Sequence, residues 1–151
     1  MKKIMCLTAV VMLVVSVAFA AEMKMKMKMN KITAQDLPGL KGTWAGMLDY
    51  GDVGGQAASS NCTLEILTDK VPVQAKLTVL NVPDFVAPHL GLMSGKNEFN
   101  LNEGQLTSQG SILWITPEQN VFELSMGREK KYLDASYWYK QIKGTALLKK
   151  K

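Results

Sequence analysis

The chain has 151 residues, 47% of them apolar and 21% charged, with 18 Lys and Arg against 13 Asp and Glu for a formal net charge of +5. This balance excludes a disordered polyampholyte and a collagen-like fibre, and the length fits one folded domain. A basic total raises nucleic acid and anionic membranes as partners, a question decided by where the charges lie.

Residues 1–20 open with Lys2 and Lys3, continue through an apolar run centred on Val10 to Val15, and end in Ala18-Phe19-Ala20. This order of basic, apolar and small residues reads as a secretory signal peptide cleaved after Ala20, placing the remainder in the periplasm or outside the cell. The competing reading is a membrane anchor, for which the apolar stretch is marginal because a span needs ~20 residues. Removal of the peptide takes Cys6 with it. Residues 21–151 then carry 16 basic and 13 acidic groups and one cysteine, Cys62. No intramolecular disulfide is available, so the fold must rely on its core.

Residues 21–38 form a lead-in. Met23, Met25, Met27 and Met29 alternate with Lys24, Lys26 and Lys28, a low-complexity pattern expected to be a flexible arm. Thioether sulfur is a soft ligand, so the four methionines are candidate Cu(I) ligands, with the lysines placing opposing charge beside any bound cation. If extended, the same alternation puts methionine on one side and lysine on the other, as a contact with anionic lipid requires. Thr33 to Leu37 predicts a helical turn capped by Thr33 and Asp36 and ended by Pro38-Gly39.

Beyond Gly39 the apolar residues recur at period two, which predicts an all-β domain over 39–151. Cys62, Leu64 and Ile66 alternate with Thr63, Glu65 and Leu67; Val73, Ala75, Leu77 and Val79 alternate with Gln74, Lys76, Thr78 and Leu80. Further strands are expected at 41–50, 96–102, 105–108, 111–116, 120–126, 131–140 and 142–149, with turns at 102–104, 108–110, 117–120 and 127–130. The junction at 140–143 lacks a clear turn signal. An antiparallel meander of about eight strands closing into a small barrel fits this spacing. Gly51 to Ser60, rich in Gly, Ser and Ala, reads as a mobile loop. Val82 to Ser94 holds Phe85, Val86, Leu90, Leu92 and Met93, and either plugs one end of the barrel or presents an apolar surface.

Little in the domain points to catalysis. His89 is the only histidine, and Cys62 shares a strand face with Leu64 and Ile66, where cysteine behaves as a small hydrophobe. Asp49, Asp52 and Asp69 follow strand ends and would meet at one rim only if those strands bring them together; acids there are usually turn formers. No phosphate-cradling or nucleophile-elbow motif is present. Asn61-Cys62-Thr63 matches a glycosylation acceptor but falls inside a strand. The expectation is a protein without enzymatic activity and without a cofactor.

Trp44, Trp114, Tyr132, Tyr137, Trp138 and Tyr139 all lie in predicted strands, so an open barrel would have an apolar interior with a few polar handles. The stretch from Asp36 through Gly42-Thr43-Trp44 resembles the opening of lipocalins and other calycin barrels. The resemblance implies that Gly42 bends the chain into the barrel and that Trp44 closes its base beneath a ligand cavity. It also implies an arginine from near the last strand stacked on that tryptophan; the one arginine of the chain, Arg128, comes too early. The family's second motif, disulfide and following helix are absent.

These residues lead to an exported barrel that binds a small apolar or amphipathic ligand, with Trp44, Tyr137, Tyr139, Phe85 and Leu90 as lining candidates. The alternative is a solid barrel acting as a structural or envelope-interaction module. Counted by segment, the arm and the last three lysines hold the excess charge, leaving 39–148 with nine basic and 11 acidic residues. A nucleic-acid groove on the folded body is not expected, and an anionic membrane surface would be met by the basic tails.

Overall fold

The computed structural model describes residues 30–116, 119–127, 129–140 and 142–151. Residues 1–20, expected to be a signal peptide, the methionines Met23, Met25, Met27 and Met29 and Arg128 lie outside the described residues. Eight antiparallel strands follow one another round a closed barrel: β1 (Gly42–Val53), β2 (Gln56–Ile66), β3 (Val73–Val82), β4 (Gly95–Leu106), β5 (Ser111–Ile115), β6 (Val121–Met126), β7 (Tyr132–Tyr139) and β8 (Ile142–Lys150). β8 returns to β1, with Trp44 opposite Lys150 and Leu48 opposite Ala146. The expected meander is therefore present and closes into a barrel, with its shortest seam between β4 and β5, which pair only through Gln105 with Leu113 and Leu106 with Ile112.

Period-two alternation dictates which side chains fill the barrel. Leu48, Leu64, Leu77, Ile112, Leu124, Leu133 and Leu148 face inward from seven strands and are almost wholly buried. Their outward neighbours are largely polar, as a sheet with one wet face requires.

Three boundaries differ from the sequence reading. Residues 51–60 are not a mobile loop, because β1 and β2 continue to a two-residue turn at Gly54-Gly55, where φ is +65° and +86°. Two successive left-handed residues give the twist a tight hairpin needs, and Val53, Ala58 and Ser60 keep the inward alternation alive. Residues 95–106 form one strand instead of two, since Gly104 serves as a bend inside β4: Val73 of β3 pairs with Gly104, and β4 then turns to pair with β5 through Gln105 and Leu106. The helical turn of the lead-in is α1 (Leu37–Leu40), which contains Pro38-Gly39 instead of stopping at them, because proline is tolerated in a first turn.

Both ends of the barrel are covered. At the near end, where β1 begins, the lead-in crosses the opening. The backbone N–H of Ile32 donates to the Gly110 carbonyl at 2.8 Å, Asn30 donates through Nδ2 to the Gly127 carbonyl, and Ile32, Leu37 and Leu40 are buried beneath the inner side chains. At the far end the connection from β3 to β4 folds in as a plug. It carries α2 (Ala87–Leu90), and Val86, Ala87, Leu90 and Leu92 are all buried. Asn97 of β4 holds this plug by accepting from the Met93 N–H at 2.8 Å and donating to the Met93 carbonyl at 2.7 Å.

Between these covers the interior is tightly filled. A methyl group on Gly144 would lie 2.9 Å from the Tyr50 ring, and one on Gly104 would strike the Trp114 indole and lie 2.6 Å from the Val73 carbonyl oxygen. Aromatic faces thus occupy the space that two inner glycines leave. The Trp114 ring also packs on Phe122 at 5.8 Å between centroids, and its Nε1 donates to the Val73 carbonyl at 2.8 Å.

Candidate functional site

The five ligand-lining candidates occupy different places. Trp44 sits at the near end, 3% exposed, with Nε1 donating to the Leu40 carbonyl at 2.7 Å. Lys150 Nζ lies 5.5 Å above its ring and donates to the Gly39 carbonyl at 2.8 Å. The arginine that the resemblance implies on this tryptophan is absent, and a lysine from β8 occupies the place. A lysine-rich last strand closing on β1 was the signal for it in the sequence.

Tyr137, Tyr139 and Leu90 meet at the far end. The Tyr137 hydroxyl donates to the Leu90 carbonyl at 2.9 Å, and its ring lies 6.4 Å from Phe99. Tyr139 packs against Gly91, the left-handed residue that ends α2, so closely that a methyl there would fall 2.7 Å from the ring. Leu90 is fully buried, whereas Phe85 is 41% exposed and faces away from the interior. Four of the five candidates are thus engaged in closing the barrel, Trp44 below and the other three above.

A small polar cluster remains inside. The Tyr50 hydroxyl and Ser60 Oγ are buried near one another yet fall short of a hydrogen bond, and neither has another protein partner. Burial pushes the Tyr50 hydroxyl above its ordinary pKa. Burial likewise pushes the nearby Cys62 thiol up to about 11, against a smaller opposing effect of its hydrogen bond to the Gly46 backbone. A thiol so raised is not a nucleophile at neutral pH.

The acids do not converge. Antiparallel pairing puts the end of β1 at the far end and the end of β2 at the near end, so Asp49 and Asp52 lie a barrel's length from Asp69. Asp49 Oδ1 accepts from the Gly51 N–H at 2.8 Å and Asp52 Oδ1 from the Gly55 N–H at 2.7 Å, which makes both turn formers. His89 is an exposed residue of α2. Among the described residues no group of three or more His, Cys, Asp or Glu side chains comes together as a metal site.

The outer surface has more character. In a meander every second connection falls at the same end, and here the basic residues follow that rule. Lys31 and Lys41 of the lead-in, Lys70 of the β2–β3 turn, Lys130 and Lys131 of the β6–β7 turn, and Lys149, Lys150 and Lys151 all belong to the near end. Asp36, Asp69 and Glu129 oppose them in those segments, and Glu65 of β2 and Glu103 of β4 lie as close to that end as Lys149 does, since Glu65 pairs with Thr43 and Gly104 with Val73. The near end therefore carries +3, and the rest of the described body, with four lysines against six acids, −2.

Exposed apolar side chains lie at part of the same rim and on the barrel wall beside it. Leu67 and Val71 of the β2–β3 turn are 44% and 42% exposed. Met47 and Leu147, 58% and 56% exposed, stand next to each other on the outer faces of β1 and β8. A shallow cleft of about 310 Å³ between Tyr132, Asp134, Glu129 and Leu147 continues the strip onto β7. Higher on the wall, a second cleft of about 320 Å³ runs past Ser111, Glu123, Ser125, Ser136 and Trp138, with Lys143 Nζ 5.0 Å over the Trp138 ring. Sequence reasoning counted the lysines but missed their convergence, because that requires strand direction.

Comparison of the chain with protein-family models, with curated proteins and with solved structures finds no match.

Proposed function

We propose that this is an exported, non-catalytic barrel that acts as an interaction module of the cell envelope, contacting an anionic component through its near end. The observation that carries the reading is the convergence of eight lysines from four separate segments at one end of a body that is otherwise net acidic. A potential of one sign concentrated on one face steers association and orients the bound partner. Cleavage after Ala20 would leave Lys24, Lys26 and Lys28 on the segment that leads into Asn30, and Asn30 is fixed at that same end.

An interior ligand has less support. The inner glycines are abutted by Tyr50 and Trp114, both ends are covered, and Trp44, Tyr137, Tyr139 and Leu90 already have intramolecular partners. The Gly42-Thr43-Trp44 opening and the place of Lys150 on Trp44 support a lipocalin-like architecture, used here as a solid scaffold.

Charge reversal at the two ends tests the reading. The triple variant Lys41→Glu, Lys70→Glu, Lys131→Glu should elute from an anionic exchange matrix at clearly lower salt than the parent. The pair Lys140→Glu, Lys143→Glu, which lies at the other end, should elute close to the parent, with the loss per charge several-fold smaller. Equal losses per charge from both ends would show that net charge alone governs binding and would refute an oriented contact.

A further inference from the structure

We infer that the anionic partner of the near end is a lipid bilayer, and that the β2–β3 turn enters its headgroup layer through Leu67 and Val71. The inference rests on the reading that the near end is the contact surface, and adds to it the identity of the partner. Lysines alone fit any polyanion. The apolar side chains set among them do not, because exposing leucine, valine and methionine beside a soluble polyanion gains nothing, whereas a bilayer interface offers acyl carbon just beneath its charged heads.

The placement is specific. Among the described residues, four of the eight exposed large hydrophobic side chains, Met47, Leu67, Val71 and Leu147, fall on the sector formed by the β2–β3 turn and the adjoining walls of β1 and β8. Lysines flank three of them. Gly42 pairs with Ile66, which puts Lys41 beside Leu67; Lys70 precedes Val71; and Lys149 follows Leu147 on the same outer face. The turn is also held in shape for the task. Leu67 N–H donates to the Gln74 carbonyl at 2.8 Å, and Gln74 N–H donates to Thr68 Oγ1 at 2.8 Å, so the two aliphatic side chains are presented from a fixed loop. Preorganised presentation reduces the ordering cost of contact.

The test uses the chain from Ala21 onward, vesicles of phosphatidylcholine with and without phosphatidylglycerol, and a polyphosphate resin. The parent should sediment with phosphatidylglycerol vesicles and not with pure phosphatidylcholine. The variant Leu67→Ser, Val71→Ser, Leu147→Ser should lose about tenfold or more of its vesicle partition, the scale expected for removing three aliphatic contacts, and keep its retention on the resin. Vesicle binding by this variant equal to the parent would overturn the lipid assignment, as would a parent that binds the resin but not the vesicles; the latter leaves the basic-end reading intact. A parent that binds neither removes both. Should the serine variant melt early, Leu67→Trp gives the same answer: its added emission should shift to the blue with phosphatidylglycerol vesicles, and an unshifted spectrum would overturn the inference.

Discussion

The filled interior makes Gly104→Ala an informative substitution. The new methyl would enter where the Trp114 indole already lies and would come within 2.6 Å of the Val73 carbonyl oxygen, the acceptor of the Trp114 Nε1 hydrogen bond. Backbone cannot move aside as a flexible side-chain tip can. Overpacking of a core costs about 1–3 kcal/mol. Loss of the indole hydrogen bond adds roughly 1–3 kcal/mol, because a buried donor is left without a partner. Replacing glycine by alanine returns up to about 1 kcal/mol through the unfolded chain. The net expectation is a destabilisation of about 1–6 kcal/mol, or a fall in Tm of about 3–30 °C at roughly 3–5 °C per kcal/mol for a domain of this size. Thermal and urea unfolding followed by circular dichroism would measure it, with the urea slope unchanged if only the native state is affected. In a Trp114→Phe background the same substitution should cost about 1 kcal/mol less, since the shared hydrogen bond is already gone. A fall in Tm below about 2 °C would mean that the barrel has slack at this level, and the argument for a solid interior would fail.

Two further outcomes follow from titrating groups. Asp36 accepts hydrogen bonds from the Thr33 backbone N–H at 2.8 Å and the Thr33 hydroxyl at 2.7 Å, and these hold its carboxyl below its ordinary pKa. A depressed acid contributes stability that is complete above the unfolded value and is lost as pH falls through the folded one, so amide protection factors in the lead-in, corrected for the intrinsic exchange rate at each pH, should fall on acidification below the carboxylate range, and Asp36→Asn should already show reduced protection at neutral pH. Cys62, buried and raised to about 11, should resist an aromatic disulfide reagent in the folded protein at pH 8 and react fully in denaturant. Prompt labelling of the native state would mean that the β2 face is more open than its burial indicates.

The barrel was legible wherever alternation was carried by large side chains. Leu64 with Ile66, and Val73 with Leu77 and Val79, marked an inner face directly, and the meander followed from the turns between such runs. Where the inner positions are small the signal disappears. Ala58 and Ser60 point inward on β2, yet their composition reads as loop. Gly104 resembles a turn residue because the indole that fills its place comes from Trp114, ten residues further on. Lys140 ends β7 at a φ of 53°, a left-handed conformation that lysine does not announce. The apolar connection at 82–94 was recognised as unusual, and its division into a buried Leu90 and exposed Phe85 and Met93 depends on which side chains reach the barrel axis. The surface was the least legible part. Lys41, Lys70 and Lys131 are far apart in sequence, and only the alternation of strand direction puts them together.

The pairing of β1 with β8 also governs when this molecule can fold. Trp44 and Lys150 are opposite one another in the sheet although nearly the whole domain lies between them in sequence. Contacts of such separation carry the largest loop-closure cost and slow the search for the native state. A chain delivered from its N-terminus would hold β1 with one edge unpaired, and Trp44 without its covering lysine, until β8 has been made. Completion of the barrel is thereby deferred to the end of synthesis, and the proposed export would find the chain still threadable until then.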